Sequence, residues 1–340
     1  MTGLADRLVA AWYAPRPTLG TLALTPLAAV FGAVVTARRA FYRRGVLARE
    51  RLPVPVVVVG NLTAGGAGKT PLALALAAAL AERGRRPGLV SRGYGGTARA
   101  PRAVASGDDP RVVGDEPLLL ARSGHPAWIG RDRVAAARGL LAAHPDVDVV
   151  IADDGLQHYA LARDVEIAVV DAVRGLGNGL LLPAGPLREP PARLAEVDAV
   201  VRLVAQPSGA AATRDGRESS MWLVPQPWRS VAAPARTADP ASWPRGRIHA
   251  IAGIGHPERF FAQLRSLGIE ATCHAFPDHH DFVPVDLAFD DAAVILMTEK
   301  DAVKCAAFAD DRCWCLPVQA RIDPALIDRV LARIHGCQAA

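Results

Sequence analysis

Residues 56–71 read VVVVGNLTAGGAGKTP: a continuous apolar strand, a glycine-rich turn and the start of a helix. The turn fits the phosphate-loop pattern G-x-x-x-x-G-K-[ST] at every position except the first, where Thr63 stands in place of glycine. The backbone N–H groups of Gly65, Gly66, Ala67, Gly68 and Lys69 can wrap phosphate oxygens, and the helix behind them adds its positive dipole end. In that arrangement Lys69 reaches the β- and γ-phosphates of a nucleotide, and the Thr70 hydroxyl ligates Mg2+. Pro71 falls in the first helical turn, where a missing N–H costs nothing. Asn61-Leu62-Thr63 also spells a glycosylation sequon, which is discounted inside such a loop.

A phosphate loop needs an acidic residue at a neighbouring strand end to hold Mg2+. The apolar segment VDVVIADDG (147–155) ends in two candidates, Asp153 and Asp154, and the spacing does not choose between them. Between loop and acid the chain alternates: a helical PLALALAAALAERG (71–84), the short strands PGLV and AWIG, a helical RDRVAAARGLLAAH, then a further apolar strand VEIAVVDA (165–172). This βαβα order with apolar strands predicts an α/β fold, a P-loop NTPase-like doubly wound parallel sheet. Beyond residue 205 a polar stretch, QPSGAAATRDGRESS, a ribbon-like MWLVPQPW and a proline-rich segment precede renewed alternation. The expected organisation is an N-terminal hydrophobic helix with a basic flank (1–45), a P-loop core (46–205), an irregular ribbon or linker (206–245) and a smaller C-terminal α/β domain (246–340).

From Pro17 to Ala37 there are 21 residues without a charge, followed by RRAFYRR. As one helix the run would be roughly 30 Å long, the thickness of a bilayer hydrocarbon core. The cationic, aromatic flank on its C-terminal side puts the rest of the chain in the cytoplasm, with a span and a helix lying in one leaflet both open. A core helix is the competing reading, because Pro26 interrupts the run. The net charge of +5 and pI of about 9.2 are assigned to this flank and to a bias toward arginine, not to nucleic acid. That bias leaves three lysines, Lys69, Lys300 and Lys304, against 36 arginines. Cys273, Cys305, Cys313, Cys315 and Cys337 show no zinc spacing, and reduced thiols are expected.

Nucleotide binding alone leaves hydrolysis, switching and transfer open. No guanine-reading N-K-x-D is present. The segments GNLTAGGAGKTP, SRGYGG (91–96), GDEP (114–117), DDGLQH (153–158), LLPAGPLREP (181–190), FPDHH (276–280) and MTEKDAVK (297–304) occur in that order. Together they resemble the tetraacyldisaccharide 4'-kinase family of the lipid A pathway, whose phosphate loop also begins with threonine. The resemblance implies ATP- and Mg2+-dependent phosphorylation of the 4'-hydroxyl of a tetraacylated glucosamine disaccharide 1-phosphate, giving lipid IVA, at the cytoplasmic face of the inner membrane. It implies that Asp115 is the base on the sugar hydroxyl, paired with His279, although His280 beside it is not distinguished by sequence. Arg188 is similar to a family arginine near the reacting phosphates, with Glu189 as its structural partner. Arg92, Tyr94 and Glu116 look like substrate-side residues, and Arg131 and Arg133 could meet the 1-phosphate or remain solvated charges.

With His279 in the second domain, the dyad would form only when the domains close. Lys300 and Lys304 receive no chemical role. Two other readings are carried: a P-loop switch or metallochaperone that needs no acceptor base, and a soluble kinase for a small metabolite.

Overall fold

The computed structural model describes residues 4–206 and 216–336. Cys337 and residues 207–215 of the polar stretch lie outside the described residues. The chain opens with α1 (Leu4–Trp12), α2 (Leu19–Ala23) and α3 (Thr25–Arg43). The uncharged run is therefore two helices, which corrects the single hydrophobic helix expected from sequence. Thr18 caps α2 by accepting from the Thr21 N–H, and Pro26 falls in the first turn of α3, where it starts a helix instead of continuing one. No helix among the described residues is long and apolar enough to cross a membrane. One face of α3 packs inward through Ala28 and Gly32, so closely that a Cβ on Gly32 would lie 2.7 Å from Leu181 Cδ1. Leu27, Val30 and Val34 on the other face are exposed.

Alternation then begins as expected: β1 (Val56–Gly60), α4 (Lys69–Glu82), β2 (Pro87–Ser91), β3 (Arg102–Ala103), α5 (Pro110–Val113) and α6 (Asp115–Arg122). β4 (Ala127–Ile129), α7 (Arg133–Ala143), β5 (Val149–Asp153), β6 (Val165–Asp171), β7 (Ala199–Val204) and β8 (Glu218–Pro225) follow. A second set comprises β9 (Trp228–Ser230), β10 (Thr237–Ala238), β11 (Arg247–Ala252), α8 (Pro257–Ser266), β12 (Thr272–Ala275), β13 (Ala292–Thr298), α9 (Glu299–Cys305) and β14 (Cys313–Leu316). The chain ends with β15 (Val318–Ile322) and α10 (Pro324–Gly336).

These strands form a nine-stranded sheet, ordered β15-β8-β7-β6-β1-β5-β2-β4-β3, and a six-stranded sheet, ordered β10-β9-β14-β13-β11-β12. The larger sheet is parallel from β8 to β4, with an antiparallel strand at either edge. The burial of β1 explains its unbroken valines. Val57 and Val59 pack with Leu72, Leu76 and Leu80 of α4, while Val56 and Val58 face Leu140 of α7 on the other side.

The two sheets do not divide the chain at residue 246. β9 and β10 belong to the smaller sheet, whereas β15 and α10 return to the larger one. Leu326, Ile327, Val330 and Ile334 bury the apolar face of α10 in the same core as α4, so this helix cannot stay with a separate C-terminal unit. The chain passes between the sheets twice, at β8–β9 and β14–β15. The two passages run side by side, joined by antiparallel pairing of β15 with β8 and β14 with β9, and by a Gln226 N–H bond of 2.8 Å to the Pro317 carbonyl.

Candidate active site

β1 ends at Gly60, and the chain turns through 61–68 into α4 with Gly65 at φ 96° and Gly68 at φ 91°. Both angles lie where only glycine sits without strain. Thr63 does not need that freedom. It is buried, forms an antiparallel bridge with Leu187, and accepts from the Asn61 side chain at 3.2 Å. The departure from the loop pattern therefore stitches the loop to the PLREP segment, and the Arg188 N–H continues the contact to the Leu62 carbonyl at 2.7 Å.

That stitching sets Arg188 beside Asp154, with Nη1 3.1 Å from Oδ1. Lys69 Nζ lies 3.5 Å from the same oxygen. Burial pushes the Asp154 carboxyl up, but Lys69 and Arg188 outweigh it and hold the group down at about 2. Asp153, one residue earlier at the end of β5, points the other way. Its Oδ2 accepts from the Thr70 hydroxyl at 2.8 Å, and its buried Oδ1 has no partner. Burial first, then the charge of Glu116, push its pKa up to about 7 against the Thr70 bond and Lys69. The two aspartates that sequence could not separate thus have different neighbours and different charge behaviour. Asp154 follows the end of β5 with a left-handed backbone, φ 50°, which a non-glycine residue rarely adopts.

Glu189 is not the partner of Arg188. It is fully buried on the opposite side of its extended segment, where it accepts from Gln157 Nε2 at 2.9 Å and from the Tyr159 hydroxyl. Arg133 is also buried and donates to the carbonyls of Arg131 and Asp154, while Arg131 is exposed. Arg133 braces the loop after β5 and is not a free solvated charge.

A second cluster of predicted site residues is built on α6. Gly114, at φ 94°, precedes the helix, and a Cβ there would lie 2.4 Å from the Tyr94 carbonyl, so the SRGYGG turn and the GDEP turn are packed backbone to backbone. Asp115 is buried at the first position of α6. Its Oδ1 accepts from the Glu116 N–H at 2.8 Å, and its Oδ2 lies 3.1 Å from His279 Nδ1. His279 reaches it from the loop after β12 with φ 60°. Among the described residues Asp154 and His279 are the two non-glycine positions with positive φ, and both stand in this cleft. His280 turns away, its Nε2 2.9 Å from Asp286 Oδ2 and its ring against Phe276 and Phe282. Tyr94 packs its ring 4.7 Å from that of His279, whereas Arg92 remains exposed on the same turn.

Two residues without an assigned role complete this cluster. Lys300 Nζ lies 3.2 Å from Glu116 Oε1, 3.4 Å from His279 Nε2, 3.5 Å from Asp278 Oδ1 and 3.8 Å from Asp115 Oδ2. Lys304 Nζ is 3.0 Å from Asp301 Oδ1 and 3.9 Å from Asp115 Oδ2. Burial raises the Asp115 carboxyl, but the His279 bond and the two ammoniums more than reverse it, leaving the group below the usual carboxylate range. The scarcity of lysine in this chain was the signal that could have found them.

A cavity of about 480 Å3 lies between the two sheets, its lining including residues 66–71, Glu116, Gly255 and Lys300; Asp115, His279, Asp154 and Arg188 stand behind that lining. At its mouth the smaller sheet touches the phosphate loop directly. A Cβ on Gly255 would lie 2.6 Å from the Gly66 nitrogen. Arg174 secures the contact by donating to the Gly255 carbonyl at 2.6 Å.

Residues 20–335 match the family model described as tetraacyldisaccharide-1-P 4'-kinase. The curated tetraacyldisaccharide 4'-kinase of Alkalilimnicola ehrlichii is 53% identical over 97% of this chain and 98% of its own length. That of Chromobacterium violaceum is 52% identical over 96% and 98%. A crystal structure titled as LpxK from Aquifex aeolicus in complex with ATP superposes with a TM-score of 0.79 at 26% identity, covering 93% of this chain and 100% of the other.

Proposed function

The chain belongs to the tetraacyldisaccharide-1-P 4'-kinase family, and from the cleft between its sheets we infer how its residues carry out the transfer. It is a kinase that uses ATP to phosphorylate the 4'-hydroxyl of a tetraacylated disaccharide in lipid A biosynthesis. The phosphate loop, 65–70, is the donor half: its N–H groups and the α4 N-terminus hold the ATP phosphates. Lys69 and Arg188 supply positive charge for the equatorial oxygens of the transferring phosphoryl group, the Arg188 fork in a bidentate manner. Asp154 holds these two cations side by side.

The residues fit Mg2+. Asp153 Oδ1 is buried without a partner beside the Thr70 hydroxyl, an oxygen-only setting that suits a hard cation. Thr70 and Asp153 would hold the ion, which neutralises charge on the β- and γ-phosphate oxygens when bound.

Asp115 and His279 form the acceptor half. A sugar hydroxyl ionises far above neutral pH, so its oxygen attacks the γ-phosphorus only as a base removes the proton. Asp115 Oδ2 takes that proton, with His279 Nδ1–H aligned on the same oxygen, while the bond from the γ-phosphorus to the β–γ bridging oxygen breaks and ADP leaves. Tyr94, Arg92 and Glu116 flank the sugar. The two sheets act as a core and a smaller closing domain, since His279 and Gly255 come from one and Asp115 and the phosphate loop from the other. A switch would have no use for the Asp115–His279 contact, and that contact is the observation that carries this reading.

The acceptor is a lipid, and α2 with α3 supplies a surface for it. Leu19, Leu22, Leu27, Val30 and Val34 are exposed apolar side chains, and Arg43, Arg44 and Arg49 are exposed cations beyond them. Such a pair of helices lies in the leaflet surface of the cytoplasmic face, with about 1 kcal/mol from each well-placed basic residue.

The test is transfer itself. Protein, Mg2+, γ-labelled ATP and the 4'-unphosphorylated lipid disaccharide should give labelled lipid on thin-layer plates. Consumption of ATP with no labelled lipid would overturn the reading.

A further inference from the structure

Lys300 stands where both halves of the acceptor site meet. It is carried by α9 of the smaller sheet, yet its nearest carboxylate, Glu116 at 3.2 Å, belongs to α6 of the larger body. Its ammonium is also 3.4 Å from His279 Nε2. Carboxylates accept and ammoniums donate, and the two ends of the imidazole have different nearest partners: Nδ1 faces the Asp115 carboxylate at 3.1 Å, whereas Nε2 faces Lys300 at 3.4 Å, with Asp278 Oδ1 farther off at 3.9 Å. That environment selects one ring form, with the proton on Nδ1 and the lone pair of Nε2 directed at the ammonium. Lys304 approaches Asp115 Oδ2 at 3.9 Å beneath it, with its ammonium 4.9 Å above the Phe282 ring.

We propose that Lys300 is a positioning residue for phosphoryl transfer, which fixes the His279 tautomer and keeps Asp115 ionised by bridging the loop after β12 to the start of α6. This role rests on Asp115 and His279 being the base dyad. Lys300 acts through the dyad and needs no contact with the phosphate or the sugar. The groups facing Asp115 are few and identified: the His279 ring from the loop after β12, the ammoniums of Lys300 and Lys304 from α9, and the Glu116 carboxylate next to it on α6. Lys300 is shared among Glu116, Asp278 and Asp115, whereas Lys304 pairs with Asp301 at 3.0 Å and reaches Asp115 only at 3.9 Å. Arginine is the chain's preferred cation, yet a planar guanidinium cannot serve three carboxylates and an imidazole nitrogen around one compact point.

Lys300→Met removes one of the charges that lower Asp115. The acid limb of kcat/KM for the lipid acceptor should then move to higher pH by about one unit, with kcat down roughly tenfold or more and KM for ATP changed less than about twofold. Lys300→Arg should return the acid limb toward that of the unsubstituted protein while recovering only part of kcat. A uniform loss of rate with an unmoved acid limb would overturn the proposal, because a merely structural role predicts that result. If Lys300→Met does not fold, as judged by thermal unfolding, the unsubstituted protein decides: 15N shifts of labelled histidine, assigned through His279→Gln, should report Nδ1–H for His279. An Nε2–H form would refute the assignment. Asp115→Asn separates the two readings. If it still transfers phosphate, the base dyad itself fails; if it is inactive while Lys300→Met keeps the original limb, only the role of Lys300 fails.

Discussion

His279 Nδ1 lies 3.1 Å from Asp115 Oδ2, although 164 positions separate the two residues, one at the start of α6 and the other in the loop after β12. The contact is assembled by tertiary structure alone, and it leaves the Asp115 carboxyl buried and held below the usual carboxylate range by His279, Lys300 and Lys304.

Asp115→Asn keeps the size of the side chain and removes its charge. Turnover should fall by about 10²- to 10⁴-fold, the usual contribution of a positioned base. ATP binding should persist, because no phosphate-loop contact is altered. Calorimetric titration with ATP beside a radiolabel transfer assay checks both halves, and lost nucleotide binding would point to a damaged loop instead.

Gly255→Ala places a methyl group 2.6 Å from a backbone nitrogen of Gly66, and neither backbone can yield cheaply. The substitution should wedge the smaller sheet away from the phosphate loop, at about 1–3 kcal/mol of overpacking. kcat/KM should drop by at least about tenfold with the thermal midpoint lowered by a few degrees. Unchanged kinetics would mean that this contact plays no part in turnover.

Arg188→Met leaves Asp154 with Lys69 alone. In the intact chain Asp154 is held at about 2, so its ionised form stabilises the fold above the ordinary carboxylate range, and this contribution is lost as pH falls toward 2. Without the guanidinium the carboxyl titrates at higher pH, and acid unfolding followed by circular dichroism should begin at higher pH. Coincident acid-unfolding curves for the two proteins would contradict the assigned pairing.

Val30→Glu with Val34→Glu places two charges on the exposed face of α3. Sedimentation with anionic vesicles should weaken by about tenfold or more, whereas ATP binding should be unaffected. Equal sedimentation would remove α3 from the lipid-facing surface.

Much of this molecule was legible in its sequence because the signals were local. The apolar strand, the glycines and the lysine of 56–71 gave β1 and α4 to within a few residues, and the chemistry of the loop followed. The order of the family motifs pointed to Asp115 and the FPDHH segment. What stayed hidden depends on long-range pairing. Nothing in Val318–Ile322 announces that it will pair with β8 on the larger sheet after an excursion through the smaller one. His279 and His280 are adjacent in sequence and part only because His279 adopts a left-handed backbone. Glu189 looked like the partner of its neighbour Arg188, but successive side chains on an extended segment point to opposite sides. The N-terminal run misled for another reason: absence of charge says nothing about where a proline restarts a helix.

The paired passages at β8–β9 and β14–β15 have a mechanical consequence. Two tethers set apart from one another would leave the smaller body free to twist, but here they are fused into one ribbon by the Gln226–Pro317 hydrogen bond and the strand pairing on either side. Gly255 at the phosphate loop and His279 at Asp115 both belong to the body held by that one ribbon, so any displacement of it would alter the two contacts together.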